Sequence, residues 1–220
     1  MDPNSLHVVV LRGDRQGEQK TYYQKAYELW KNVWEATFRE LDNYRGKLPS
    51  DDFTRQHEIF TLFNKDQCIA LICIRYMETD NPAVWSDSYF KPWPKEAKEA
   101  FRFGKNLLIA SYITVHPEYR GRTGDISVKE LLVHASLEYV LRTRDLDGIT
   151  GIVRDDKAMD RLLYECGAVP LVKGVLYHNV PVDLVGLFPK KYPTGAPDRY
   201  MALIDKLLEG ATIDTTAEAA

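Results

Sequence analysis

Residues 6–11 form an apolar, strand-like run, and 58–63 and 69–75 alternate polar with apolar positions around Asn64-Lys65-Asp66, a hairpin turn signal. Between them, 17–43 repeats at helical spacing, with Tyr23, Tyr27, Trp30, Val33, Trp34, Phe38 and Leu41 on or near one face. A polar connector at 47–56 follows the helix. The hairpin makes this the antiparallel half of the chain. Residues 78–105 are irregular, with Pro82, Pro92, Pro94, Trp85 and Trp93, and a short helix is expected at 94–101. The second half predicts a strand at 107–115. Its helix begins at the Ser127/Glu130 capping pair, has an apolar face of Val128, Leu131, Leu132, Ala135, Tyr139 and Val140, and ends near Arg144. A strand at 149–154 comes next, and such a strand-helix-strand unit pairs in parallel by a right-handed crossover. A helix at 155–166 stopped by Gly167, closing strands at 169–176 and 182–188, and a helix at 197–208 complete an α/β (α+β) chain with a mixed sheet.

At 220 residues one domain buries roughly 70 % of its unfolded surface. A net charge of −3 argues against a general nucleic-acid partner. No apolar run approaches the ~20 residues of a membrane span, and no signal-peptide core follows Met1. Cys68, Cys73 and Cys166 lack the paired spacing of a metal site, and an odd count argues against a disulfide framework, so a cytoplasmic location without metal is expected. Residues 1–5 back-translate to adjoining cloning sites and read as a remnant outside the domain.

The most specific stretch is Ile113-Thr-Val-His-Pro-Glu-Tyr-Arg-Gly-Arg122, a strand ended by Pro117 that runs into a turn just before a helix N-terminus. Free N–H groups and the positive end of the helix dipole make such a turn an anion site. This segment resembles the acyl-CoA pyrophosphate loop of the GNAT N-acyltransferases, with Thr123 and Asp125 at positions where glycine is usual. The stretch from Asp156 to Gly167 resembles a second GNAT signature: counted forward from Arg154 the signature tyrosine is Tyr164, counted back from Gly167 it is Leu163.

The resemblance implies a single GNAT-like domain at 6–188 with an extended insertion at 78–105, followed by a C-terminal helix and tail at 189–220. Its fourth and fifth strands would be parallel and splay after Val115 and Arg154. It implies no permanent cofactor, with acyl-CoA or an acyl carrier protein thioester as co-substrate. Ile113 and Val115 would hold pantetheine through backbone groups, and Arg120, Gly121, Arg122, Thr123 and Gly124 the phosphates. A small-molecule amine would attack directly, and Tyr164 would protonate the departing thiolate. The base is unassigned: Ile152 stands where family members often carry glutamate, no carboxylate lies in 107–115, and His57, Glu58 and Glu78 are strand-end candidates.

The long aromatic helix, the Asp51-Asp52-Phe53 connector, Arg75 and the 78–105 segment look like the related acyl-homoserine-lactone and long-chain N-acyl amino acid synthases. Ala110 replaces the lactone synthases' glutamate, which argues against a lactone synthase proper. Trp30, Trp34, Arg75, Trp85, Ser111 and Tyr112 are then candidates for the acceptor or acyl pocket, although the aromatics also read as core. Arg120, Arg122, Lys129, Arg142 and Arg144 fit either an acidic carrier protein or a solubilising helix face. A small acetyltransferase, or a catalytically silent binding module on the same fold, is the competing reading.

Overall fold

The computed structural model describes residues 2–42, 48–102, 104–123, 126–154 and 157–213. Its antiparallel half opens with β1 (Leu6–Leu11), α1 (Lys20–Asp42), α2 (Asp51–Thr54), β2 (Glu58–Asn64) and β3 (Gln67–Glu78). Two 3-10 turns, Pro82–Ser86 and Ser88–Phe90, and α3 (Lys95–Glu99) lead to β4 (Asn106–Val115). Then come β5 (Arg122–Thr123), β6 (Ile126–Ser127), α4 (Val128–Thr143), β7 (Gly148–Arg154), α5 (Met159–Glu165), β8 (Val169–Tyr177), β9 (Val180–Leu187), α6 (Asp198–Glu209) and β10 (Thr212–Ile213).

The main sheet runs β10-β1-β2-β3-β4-β7-β9-β8. β1 to β4 are mutually antiparallel, and β4 and β7, the fourth and fifth strands of this sheet in chain order, are parallel. Helices cover both faces. On one, α1 buries Tyr23, Ala26, Trp30 and Val33, spaced as one helical stripe, against Val9, Leu11, Leu71 and Cys73. Beside it the 82–101 segment packs Phe90, Trp93 and Phe101 onto Leu107, Ile109 and Leu184. On the other face α4 is buried on nearly every side, between the sheet and α6.

Four features depart from the sequence expectation. Arg122 and Thr123 pair with Ser127 and Ile126 as a small antiparallel ribbon, β5 with β6, where a loop is expected. Helix α5 starts at Met159 after Ala158 in the left-handed region, φ 52°, four residues later than expected. The 47–56 connector contains a helical turn, α2, whose Phe53 is fully buried. Thr212 and Ile213 of the expected polar tail extend the sheet beside Val9 and Val10. Gly167 stops α5 as expected at φ +90°, its N–H bonded to the Tyr164 carbonyl, and a Cβ there would stand 2.3 Å from the Pro193 carbonyl oxygen.

Candidate active site

An aperture through the sheet organises the site. β4 and β7 pair only at Leu107, Leu108 and Ile109 with Gly148, Ile149 and Thr150, and beyond that they diverge. The opening therefore starts at Ala110 and Gly151, well before the Val115 and Arg154 expected from the family pattern. A β-bulge shapes its β4 edge. Ser111 pairs with Cys73 and Thr114 with Leu71, so Tyr112 and Ile113 together oppose Ile72. Tyr112 takes φ +53°, a left-handed conformation that costs a non-glycine residue roughly 1–2 kcal/mol. The extra residue shifts side-chain parity: Leu108 and Ala110 face α4, Tyr112 faces α1, and Ile113 and Val115 face α4 again.

Two cavities meet at this aperture. The first, about 560 Å³, opens near Arg120, Gly121, Ser127 and Lys129 and runs between the sheet and α4. Its inner wall is apolar: Ile72, Ile74, Leu108, Val133, Leu137, Val140, Ile149 and Leu187. At its mouth the Ser127 hydroxyl caps α4 by accepting from the Glu130 N–H at 3.3 Å. Glu130 is engaged elsewhere, accepting the Tyr200 hydroxyl and lying 3.9 Å from the Arg199 guanidinium.

The second cavity, about 380 Å³, lies on the α1 face, and its wall sets Asp52, Arg55, Arg75, Ser88, Tyr89, Arg154 and His178 among apolar residues such as Phe38, Ile109, Ile152 and Val182. Arg55 pairs with Asp52 at 2.7 Å, and Arg75 makes a bidentate pair with Asp87 at 2.9 Å for both bonds. Burial alone would raise the Asp87 carboxyl. The Arg75 hydrogen bonds and the Tyr89 N–H outweigh it and hold the pKa below the usual carboxylate range. The β8–β9 turn closes one end, with His178 and Asn179 both at positive φ, the His178 ring 4.8 Å from Phe38 and the Asn179 amide donating to the Leu41 carbonyl. Trp34, Ala110, Ser111, Tyr112, Ile152 and Arg154 border both cavities.

No protein-family model matches the sequence, and a search of curated proteins finds no match. Solved structures do match. The CoA-dependent acyl-homoserine lactone synthase BjaI, with SAM and isopentyl-CoA, aligns over 95 % of this chain and 93 % of its own at 12 % identity and a TM-score of 0.59. FeeM, an N-acyl amino acid synthase from uncultured soil microbes, aligns over 85 % and 93 % at 16 % identity and 0.52. A mosquito arylalkylamine N-acetyltransferase like 5b aligns over 84 % and 100 % at 13 % identity and 0.61. The chain has a GNAT-like fold.

The GNAT-like frame brings some of the sequence-derived candidates together and separates others. Ser111, Tyr112, Trp34 and Arg75 line the cavities, with the Trp34 indole donating to Thr114 Oγ1 at 2.9 Å. Ile113, Val115, Arg120 and Gly121 line the α4-side cavity. The Val115 carbonyl is not free as expected, because it accepts Arg120 Nε at 3.2 Å. Arg122 and Thr123 lie in the β5–β6 ribbon, and Gly124 falls outside the described residues. Trp30, fully buried, sits behind the wall against Phe53. Trp85 is outside both cavities, tilted against Phe90 with its N–H on the Thr79 carbonyl. Tyr164 also misses them: its hydroxyl donates to Asp183 at 2.8 Å, and burial with that contact pushes its pKa up to about 12. Leu163, the residue found by counting back from Gly167, lines the α4-side cavity instead.

Of the base candidates, buried Glu58 is held by Arg144 and Tyr76 at 2.8 and 2.7 Å. His57 accepts the Tyr76 N–H at Nδ1, and burial lowers its pKa. Glu78 is exposed at the end of β3. None of the three borders a cavity. Arg142 is likewise occupied, paired with Glu138 and Asp205. Sequence reading missed Arg55, Tyr89, Arg154 and His178, which four separate segments bring to one wall. Among the described residues no cluster of metal-ligating side chains is present, the three cysteines are free and buried, and no helix is long and apolar enough to cross a membrane.

Proposed function

We propose that this chain is an N-acyltransferase that moves a long acyl group from a pantetheine thioester to the amine of a small molecule bearing an acidic group, an amino acid being the simplest member of that class. The carrying observation is the pair of cavities meeting at the β4–β7 aperture, one with an apolar inner wall along α4 and one with a cluster of charged and polar side chains on the α1 face. The thioester enters past Arg120, Gly121 and the α4 N-terminus, where free N–H groups and Lys129 suit phosphate. Its acyl chain lies along the apolar wall. A methylene occupies about the volume of a water, about 30 Å³, so a twelve-carbon chain needs roughly 360 Å³ and fits within the 560 Å³ available.

The acceptor enters from the α1 face. Three arginines stand in that wall against two aspartates, Asp52 and the Asp87 that Arg75 holds, and this net positive charge favours a ligand with an anionic group, whose amine is then presented at the aperture beside the thioester carbonyl. Unpaired strand edges there supply N–H groups for the tetrahedral oxyanion. Either donor, coenzyme A or a carrier protein, presents the same pantetheine arm.

Acetyl, octanoyl and dodecanoyl donors, each as coenzyme A and carrier-protein thioesters, are assayed for thiol release with a mixture of amino acids, and products are identified by mass spectrometry. Each buried methylene contributes about 0.8 kcal/mol, so the rate climbs roughly fourfold per carbon until the cavity is full. Preference for acetyl overturns the long-chain reading. Tight donor binding without thiol release identifies a binding module.

A further inference from the structure

Resting on the acyl-transfer reading, we propose that the Tyr112 hydroxyl and the Asp52 carboxylate form the proton relay that takes the proton from the attacking amine, the base for which no family position in this chain has a side chain. Among the described residues the carboxylates bordering the cavities are Glu40, Glu130 and Asp52. Glu40 is on an exposed position of α1, and Glu130 is held by Tyr200 at the phosphate end. Asp52 remains. It lines the α1-side cavity together with Tyr112, close enough for its charge to act on the Tyr112 hydroxyl. Arg55, 2.7 Å away, fixes its orientation.

Tyr112 is placed for the other half of the task. It is the bulge residue, it borders both cavities, and it is held edge-on by Trp34 at 5.0 Å and Trp30 at 5.7 Å. In a straight strand Tyr112 would share the α4 face with Ala110, two positions away, and the bulge turns it to the α1 face. The left-handed backbone thus serves to aim a phenol at the meeting point of donor and acceptor.

The step balances without an added reagent. The amine nitrogen bonds to the thioester carbonyl carbon while a proton leaves that nitrogen for the Tyr112 oxygen, and the phenolic proton passes to Asp52. Collapse of the adduct breaks the carbon–sulfur bond. The proton returns from Asp52 through Tyr112 to the thiolate, leaving amide and free thiol.

The test measures thiol release from dodecanoyl-CoA by the native protein, Tyr112→Phe and Asp52→Asn, with the amino-acid mixture and separately with hydroxylamine. Hydroxylamine nitrogen is uncharged at neutral pH, and its adduct gives up a proton readily to water. With amino acids, Tyr112→Phe keeps the ring packing and lowers kcat about 100-fold, with the KM for the donor within twofold; Asp52→Asn does the same. With hydroxylamine the deficit shrinks to less than about fivefold. Turnover by Tyr112→Phe within twofold of native, or an equal loss with both nucleophiles, overturns the relay alone. Absence of turnover by the native protein with any acceptor overturns the acyl-transfer reading and the relay with it.

Discussion

On the α4 side of the aperture the wall consists of Ile72, Ile74, Leu108, Val133, Leu137 and Ile149, contributed by β3, β4, α4 and β7. On the α1 side it includes Asp52, Arg55, Ser88, Tyr89 and His178, contributed by a helical turn and the residue after it, a 3-10 turn and a hairpin tip. The apolar cavity is a gap in the regular core, and its depth is set by the packing that holds the sheet to α4. The α1-side cavity shares that framework of helix and strands but takes Asp52, Arg55, Ser88, Tyr89 and His178 from short turns, which carry little of that packing. In such a design the acyl-chain preference is tied to stability, whereas the acceptor preference can change by editing connectors.

The sharpest way to break this contrast is to fill the apolar side. A Cβ on Gly151 meets only ordinary contacts, 3.5 Å from Val185, so Gly151→Leu projects its side chain into the cavity without forcing the backbone. Dodecanoyl turnover falls about 100-fold, near the upper end of overpacking costs, while acetyl turnover changes little; equal losses for both donors, read from a kcat/KM series, sink the division between the two cavities. On the polar side, Arg154→Met raises the KM for an amino-acid acceptor about 20-fold, the scale of one charge-assisted hydrogen bond, and leaves the KM for the donor alone. A matching rise for the donor would show that the guanidinium serves the thioester instead.

A smaller effect comes from the pair that anchors the polar wall. Because the folded pKa of Asp87 lies below its unfolded value, the Arg75–Asp87 pair stabilises fully above about pH 4, the ordinary aspartate range, and that contribution is lost as pH falls through the lowered folded value. Asp87→Asn destabilises by about 1.5 kcal/mol at pH 7 and flattens the acid limb of urea denaturation midpoints; an unchanged acid limb refutes the assignment. The smallest change is at the mouth of the apolar cavity. Ser127→Ala removes the α4 cap and costs about 1 kcal/mol in the same assay, with a modest loss of donor affinity by calorimetry.

The regular elements were legible because burial on one side imposes a period. The stripe through Tyr23, Trp30 and Val33 marks α1, and Asn64-Lys65-Asp66 marks the β2–β3 turn, where Lys65 adopts φ +49°. What stayed hidden has no local signal. Trp30 and Trp34, one helical turn apart, read alike, and only the tertiary placement of Phe53 and Thr114 sends one into the core and the other to the cavity. The bulge is invisible because tyrosine prefers extended backbone, and the cost at Tyr112 is met by its surroundings rather than by its own propensity. The late start of α5, at Met159, turns Leu163 rather than Tyr164 into the cavity. β10 escaped notice because two residues bonded through backbone alone carry no side-chain pattern.

The bulge in β4 also has an evolutionary arithmetic. Leu108, Ala110, Ile113 and Val115 all face α4, two residues separating the middle pair where a regular strand has one. Deleting Tyr112 alone would bring these four into an unbroken alternation and let the β3–β4 ladder close across Ile72 with every α4-facing side chain retained. The bulge on the edge of the aperture is thus equivalent to a single codon inserted into an ordinary strand, gained or lost in one step without rewriting the hydrophobic message on the α4 side.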